Sequence, residues 1–122
     1  MDRMTHNATT GGLARATVNL FQKWGLTDRE ACVLLGGISV DGWHRLKDGD
    51  FRHITQEQQS RMAILMSIHQ GLRYLFRDPT RGYAWIRKPN AIFEGISALD
   101  VMMRGSVGDL TDVRDYLDAD RA

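Results

Sequence analysis

The sequence has one cysteine, two prolines and no apolar run near the roughly 20 residues that a membrane-spanning helix needs. A lone Cys32 excludes an intramolecular disulfide framework and a cysteine-built zinc site. It also makes the cytoplasm the default compartment, with no membrane partner expected. Residues Met1 to Gly12 contain no apolar segment of the kind a secretory signal requires. The four histidines, His6, His44, His53 and His69, show no ligand spacing, so no metal is expected. The glycines fit no phosphate-binding loop. Nothing resembles a nucleophile with its base, so the chain reads as a non-enzyme without a cofactor.

What is present is 122 residues, 43% apolar and 25% charged. That length suits one compact domain, or two small ones that share a core. Net charge is only +1, but it is unevenly spread. Residues 1–43 are balanced, residues 44–88 hold nine basic and four acidic side chains, and residues 89–122 hold three basic and seven acidic ones. A basic middle and an acidic tail suggest different partners for different segments, although solvated helix faces have the same pattern.

The hydrophobic spacing is helical throughout. Residues 1–12 read as a disordered leader, since Asn7, Thr9, Thr10, Gly11 and Gly12 favour no regular element. Leu13, Ala16, Leu20 and Trp24 then recur every three or four residues. Thr27 with Glu30 is a capping box that opens the next helix, and Gly36-Gly37 closes it. Ser39 caps a helix that buries Val40, Trp43 and Leu46. Thr55 opens a long helix through Met62, Leu65, Met66, Ile68, Leu72, Leu75 and Phe76, stopped by Asp78-Pro79. A short piece around Tyr83–Ile86 follows. Ser97 caps the next helix, and Asp109 or Thr111 starts the last. The expectation is all-α, about seven short helices. The methionines read as core fillers or as an adaptable contact surface.

Two short helices joined by a glycine turn, the second one basic, form a helix-turn-helix signature. The second helix would lie in the major groove and present Ser39, Asp41, His44 and Arg45. Arg45 could read a guanine or hold a phosphate. Lys47, Arg52 and His53 would contact the DNA backbone. A short helix pair is also common in all-α cores, so the pattern leaves both readings open.

The second half carries a more specific pattern. The run Tyr83-Ala84-Trp85-Ile86-Arg87-Lys88-Pro89-Asn90-Ala91-Ile92-Phe93-Glu94-Gly95 precedes Ser97-Ala98-Leu99-Asp100, Arg104-Gly105 and Val113-Arg114-Asp115-Tyr116-Leu117. This order resembles the toxin-binding domain of the Xre/MbcA/ParS antitoxins. The stretch from Leu26 to Gly49 resembles that family's Xre-like helix-turn-helix, and the resemblance covers roughly residues 13–120.

The resemblance implies a helix-turn-helix bundle over 13–54, fused through a long helix to a helical toxin-binding domain over 55–122. It implies a cognate toxin that consumes NAD, either RES-like or ADP-ribosyltransferase-like. It also implies binding to the chain's own promoter DNA, and a homodimer. Toxin contacts are assigned to Arg87, Asn90, Phe93, Glu94, Arg104, Asp115 and Asp118. Trp85 reads chiefly as core, while Phe93 could serve core or interface.

The acidic tail, Asp109, Asp112, Asp115, Asp118 and Asp120, would suit a basic cleft built for NAD phosphates. Deleting residues 111–122 should then weaken neutralisation and leave the chain folded. Two departures stand out: Gly36-Gly37 lengthens the turn by one residue, and Gly42 sits inside the recognition helix, at about 1 kcal/mol relative to alanine. A plain helix-turn-helix regulator, dimerised by its C-terminal half, is the competing reading.

Overall fold

Side-chain caps set where each helix begins. Thr27 and Glu30, Thr55 and Gln58, and Ser97 and Asp100 form three reciprocal capping boxes. Ser39 accepts a hydrogen bond from the Gly42 N–H at 3.0 Å. Each cap satisfies backbone donors that a helix start leaves unpaired. A computed structural model describes residues 2–121, with side chains from 10 to 119. Its helices are α1 (Asp2–Lys23), α2 (Asp28–Leu34), α3 (Val40–Lys47), α4 (Gln56–Leu75), α5 (Pro79–Trp85), α6 (Ala98–Met102) and α7 (Val107–Arg121), with a 3-10 turn at Ala91–Phe93. The fold is all-α. Among the described residues the only extended pairing is an isolated bridge between Pro89 and Ser97, and no helix is long and apolar enough to cross a membrane.

α4 is the central element, packing most extensively on α7 and next on α1. Met62, Leu65, Ile68 and Leu72 of α4 are fully buried, against Phe21 of α1 on one side and Leu110, Val113 and Leu117 of α7 on the other. Burying such side chains contributes about 1.5–3 kcal/mol each. Gly71 permits the close approach of α4 and α7, because a Cβ there would stand 3.1 Å from the Leu117 Cβ. One continuous core runs from Ala14 to Leu117, so no break in packing marks the 54/55 boundary.

Several expectations need correction. Most of the expected leader falls on residues 1–9, whose side chains lie outside those described, but Thr10 to Gly12 are helical. Gly11 lies against the Phe51 ring, where a Cβ would come within 3.4 Å, so a tertiary contact extends the helix past its weak local propensity. α5 starts at Pro79 with Asp78 as its N-cap; proline stops α4 and also serves as a first-turn residue. α7 starts at Val107 because Ser106 and Asp109 cap each other, with both backbone N–H groups donating at 3.0 Å. Val40 is 49% exposed and Leu75 37%; each sits at a helix end, where the apolar stripe has passed its packing partner.

His69 gives the fold a pH dependence. Its ring stacks on Tyr83 at 6.2 Å, and its buried Nδ1 has no described partner. Burial, then Arg73 and Lys23, depress its pKa below 6.5. The unfolded chain therefore takes up a proton first, so stability is full above about 6.5 and falls as pH drops through that value. Urea midpoints at pH 7.5 and 5.5 should show the loss in the parent chain. A His69→Gln variant with the same loss would exclude this histidine as its source.

Candidate functional site

The first candidate surface is the α2–α3 pair. Gly36 and Gly37, at φ 96° and 81°, turn the chain out of α2. The Gly37 N–H donates to the Cys32 carbonyl at 2.8 Å, a left-handed helix closure that L side chains disfavour. The two helices are then locked through Asp28, which accepts from Trp43 Nε1 at 2.9 Å and Lys47 Nζ at 3.2 Å. His44 Nε2 lies 3.5 Å from its other oxygen. The Trp43 hydrogen bond, then Lys47 and His44, hold the Asp28 carboxyl below its ordinary pKa.

All six residues assigned to DNA, Ser39, Asp41, His44, Arg45, Lys47 and Arg52, are exposed, but their chemistry differs. Ser39 is the cap of α3. His44 and Lys47 face Asp28. Arg52 grips Asp50 through Nε at 2.9 Å and Nη2 at 3.0 Å, and that pairing drives the Asp50 carboxyl far below the usual carboxylate range. Arg45 makes no ion pair with any described residue. The cationic surface of α3 is thus narrower than its sequence implies.

The second surface is built by the loop after α5 together with α6 and α7. Arg87 anchors it, with Nη2 donating to the Gly25 carbonyl at 2.9 Å, to Trp24 at 3.3 Å and to Glu30 Oε1 at 3.3 Å. This cation ties the loop to the C-terminal end of α1, where carbonyls lack helical partners. Asn90 Oδ1 accepts from the Ile92 N–H at 3.1 Å, and its own N–H reaches the Ile96 carbonyl at 3.0 Å. Arg87 and Asn90 therefore hold the loop in place, Arg87 from an exposed position.

Phe93 joins Trp85 and Tyr116 in a three-ring cluster. Trp85 stacks on Tyr116 at 6.1 Å, and Phe93 meets both edge-on at 6.4 and 5.6 Å. Trp85 and Phe93 are both half-buried, serving core and surface together. The cluster fixes the 3-10 turn to α7.

Beside it lies a shallow cleft of about 200 Å³, lined by Ile92, Phe93, Glu94, Val101, Arg104 and Asp112. Glu94 holds a left-handed φ of 60°, a strained conformation for a non-glycine residue and one that clusters at functional sites. Ile92 is 56% exposed at the lip. Glu94, Arg104 and Asp112 make no ion pair with one another or with other described residues. Phe93, Glu94 and Arg104 are thus brought together. Asp115 pairs with the neighbouring Arg114 at 3.1 Å and Asp118 is exposed further along α7; the Asp120 side chain lies outside those described. No group of His, Cys, Asp or Glu among the described residues could hold a metal.

Ile92 and Arg61 were given no role by the sequence. Ile92 completes the cleft together with Asp112, which the sequence offered only as part of the acidic tail. Arg61 is 5% exposed; as a cation on a long helix it carries no signal of burial. The deletion of 111–122 also reads differently now. Val113 and Leu117 are fully buried, so the tail is half core and cannot be removed cleanly.

Residues 71–122 match the family model for the antitoxin Xre/MbcA/ParS C-terminal toxin-binding domain. The whole second surface lies inside that span. The chain is also 35% identical over 106 residues to the uncharacterized protein y4oB of Sinorhizobium fredii (strain NBRC 101917 / NGR234), covering 87% of this chain and 81% of that one.

Proposed function

We propose that this chain, whose residues 71–122 match the Xre/MbcA/ParS C-terminal toxin-binding domain, is an antitoxin, that its toxin consumes NAD and that the chain occludes the toxin's active-site entrance. Repression of its own promoter is the secondary activity. The observation that carries the docking part is the cleft at Ile92, Glu94, Arg104 and Asp112. It leaves charged side chains unpaired around an exposed isoleucine, as a surface awaiting a partner does. The occlusion part is supported by charge. An enzyme that binds a dinucleotide must supply cations for its phosphates, and α7 presents Asp112, Asp115 and Asp118 outward beside the cleft. Opposite potentials of this kind steer association and set register. RES-like and ADP-ribosyltransferase-like enzymes both fit that requirement.

Co-purification with a toxin from the native host tests the pairing, and steady-state inhibition tests the mechanism. Occlusion of the cofactor entrance makes inhibition competitive with NAD. Inhibition that saturating NAD cannot relieve overturns occlusion while leaving neutralisation intact.

For DNA, the exposed Arg45 supports contact through α3, while Asp28 withholds Lys47 and His44. Asp28→Asn keeps an acceptor for Trp43 and releases Lys47 and His44. Affinity for the upstream DNA should rise, and the salt slope should steepen by about 0.9 for each added phosphate contact. An unchanged slope in a gel shift across salt excludes Lys47 from the DNA interface. A homodimer would set two α3 helices about 34 Å apart for adjacent major grooves. The competing reading, a stand-alone regulator, requires that no toxin co-purify.

A further inference from the structure

We propose that a second cleft, on the far side of α3 from Asp28, binds a small organic anion with an apolar body. This cleft is about 260 Å³ and lies between α3, the loop that follows it and the start of α4. Ile38, Leu46 and Ile54 give it apolar walls, and Arg45 and His53 line it as well.

The first argument is Gly42. It sits inside α3 without a left-handed φ, so the backbone does not require glycine, and its presence costs about 1 kcal/mol relative to alanine. A Cβ there would meet only the Ser39 Oγ, at 3.2 Å, and nothing else within 4 Å. Gly42 lines the cleft, so the missing side chain is what keeps the space open on the helix side.

The second argument is charge. Asp50 also lines the cleft, but both its oxygens are held by Arg52. Gln58 uses its side-chain oxygen to accept from the Thr55 N–H at 3.1 Å, leaving its amide N–H groups as donors. Arg45 has no described carboxylate partner. The uncompensated charge at the cleft is therefore positive, and the Gln58 amide adds a neutral donor.

The third argument is size. The volume exceeds the ~150 Å³ of an apolar cavity that accepts benzene and falls short of the roughly 300–1,000 Å³ of drug-sized sites. A single ring or short branched chain bearing one carboxylate fits; a nucleotide does not. Such an occupant engages Arg45 and so withdraws it from DNA, which gives the site a route to regulation that does not pass through the toxin surface.

The test is a titration of the isotope-labelled full chain with benzoate, and separately with benzyl alcohol, followed by amide chemical shifts at constant ionic strength. Benzoate should shift Gly42, Leu46 and Ile54. Arg45→Gln should weaken benzoate by about tenfold and leave benzyl alcohol within about twofold. Gly42→Leu, which fills the space, should abolish both. Thermal melts confirm that each variant folds; should Gly42→Leu not fold, the exposed Arg45→Gln decides alone. Absent shifts, shifts elsewhere on the chain, or equal losses for both probes in Arg45→Gln overturn the proposal.

Discussion

Arg61→Met is expected to destabilise the chain by about 3 kcal/mol and to lower Tm by about 12 °C, at roughly 4 °C per kcal/mol for a domain of this size. Arg61 is buried within α4, yet it has no buried carboxylate. Its Nη2 donates to the Gly105 carbonyl at 2.9 Å, and Nη1 makes a longer contact to the Leu34 carbonyl at 3.4 Å. Glu57, one turn earlier and largely exposed, lies 3.6 Å away.

The two carbonyls close α2 and follow α6, so one guanidinium holds the N-terminal helices to the C-terminal part of the chain. Gly36 is bound into the same arrangement, since a Cβ there would stand 3.0 Å from Arg61 Nε. Methionine fills similar volume but leaves both carbonyls unpaired, which is the costly half of losing a hydrogen bond. Arg61→Lys, with one nitrogen in place of a fork, should fall between parent and methionine. A methionine variant that melts with the parent would mean that packing alone joins the halves.

The second large effect concerns α7. Removing residues 111–122 should prevent folding, because it strips Val113 and Leu117 from the face of α4. Truncating a buried leucine alone to alanine costs about 2–5 kcal/mol, and the deletion removes two such side chains together with most of a helix. Circular dichroism and a thermal melt check this directly. A melt like that of the parent would place α7 outside the core.

The toxin-facing role proposed for the helix is then tested by a variant that spares the core. Asp112→Lys, Asp115→Lys and Asp118→Lys together reverse exposed charges only. The expected result is a parent-like melt and a loss of affinity for the toxin of about tenfold or more, mainly through slower association. Retained neutralisation by this triple variant would exclude the α7 carboxylates, including Asp112 of the cleft, from docking.

Helix starts were legible in the sequence because a cap is a local device. Thr27 with Glu30, Thr55 with Gln58, and Ser97 each satisfy backbone donors within three residues, and no distant contact is needed. The last helix was placed two to four residues late, because Ser106 with Asp109 is an equally local pair that was passed over. The leader was misjudged at Thr10 to Gly12 because the Phe51 contact that supports Gly11 lies forty residues away.

The candidate surfaces divide along the same line. Arg104, Glu94 and Phe93 were named from the pattern, and the fold gathers them. Asp112 was named only as part of the acidic tail, and Ile92 enters only through the packing of the loop against α6 and α7. Asp28 shows the limit from the other direction: fifteen residues from Trp43, it decides which cations of α3 remain available, and nothing in local spacing announces that.

Composition, capping residues and apolar period were enough to establish an all-α chain and most of its helix starts, because propensity, caps and amphipathic spacing act over one or two helical turns; the toxin-binding half was legible only as a resemblance in the motif order of residues 83–117. The tertiary structure alone decided that one core spans both halves, that Arg61 joins them, that Arg87 is an anchor, and that the tail is core on one face. Those outcomes depend on which surfaces meet after the chain closes on itself, and burial and pairing at such distances leave no mark in the order of residues.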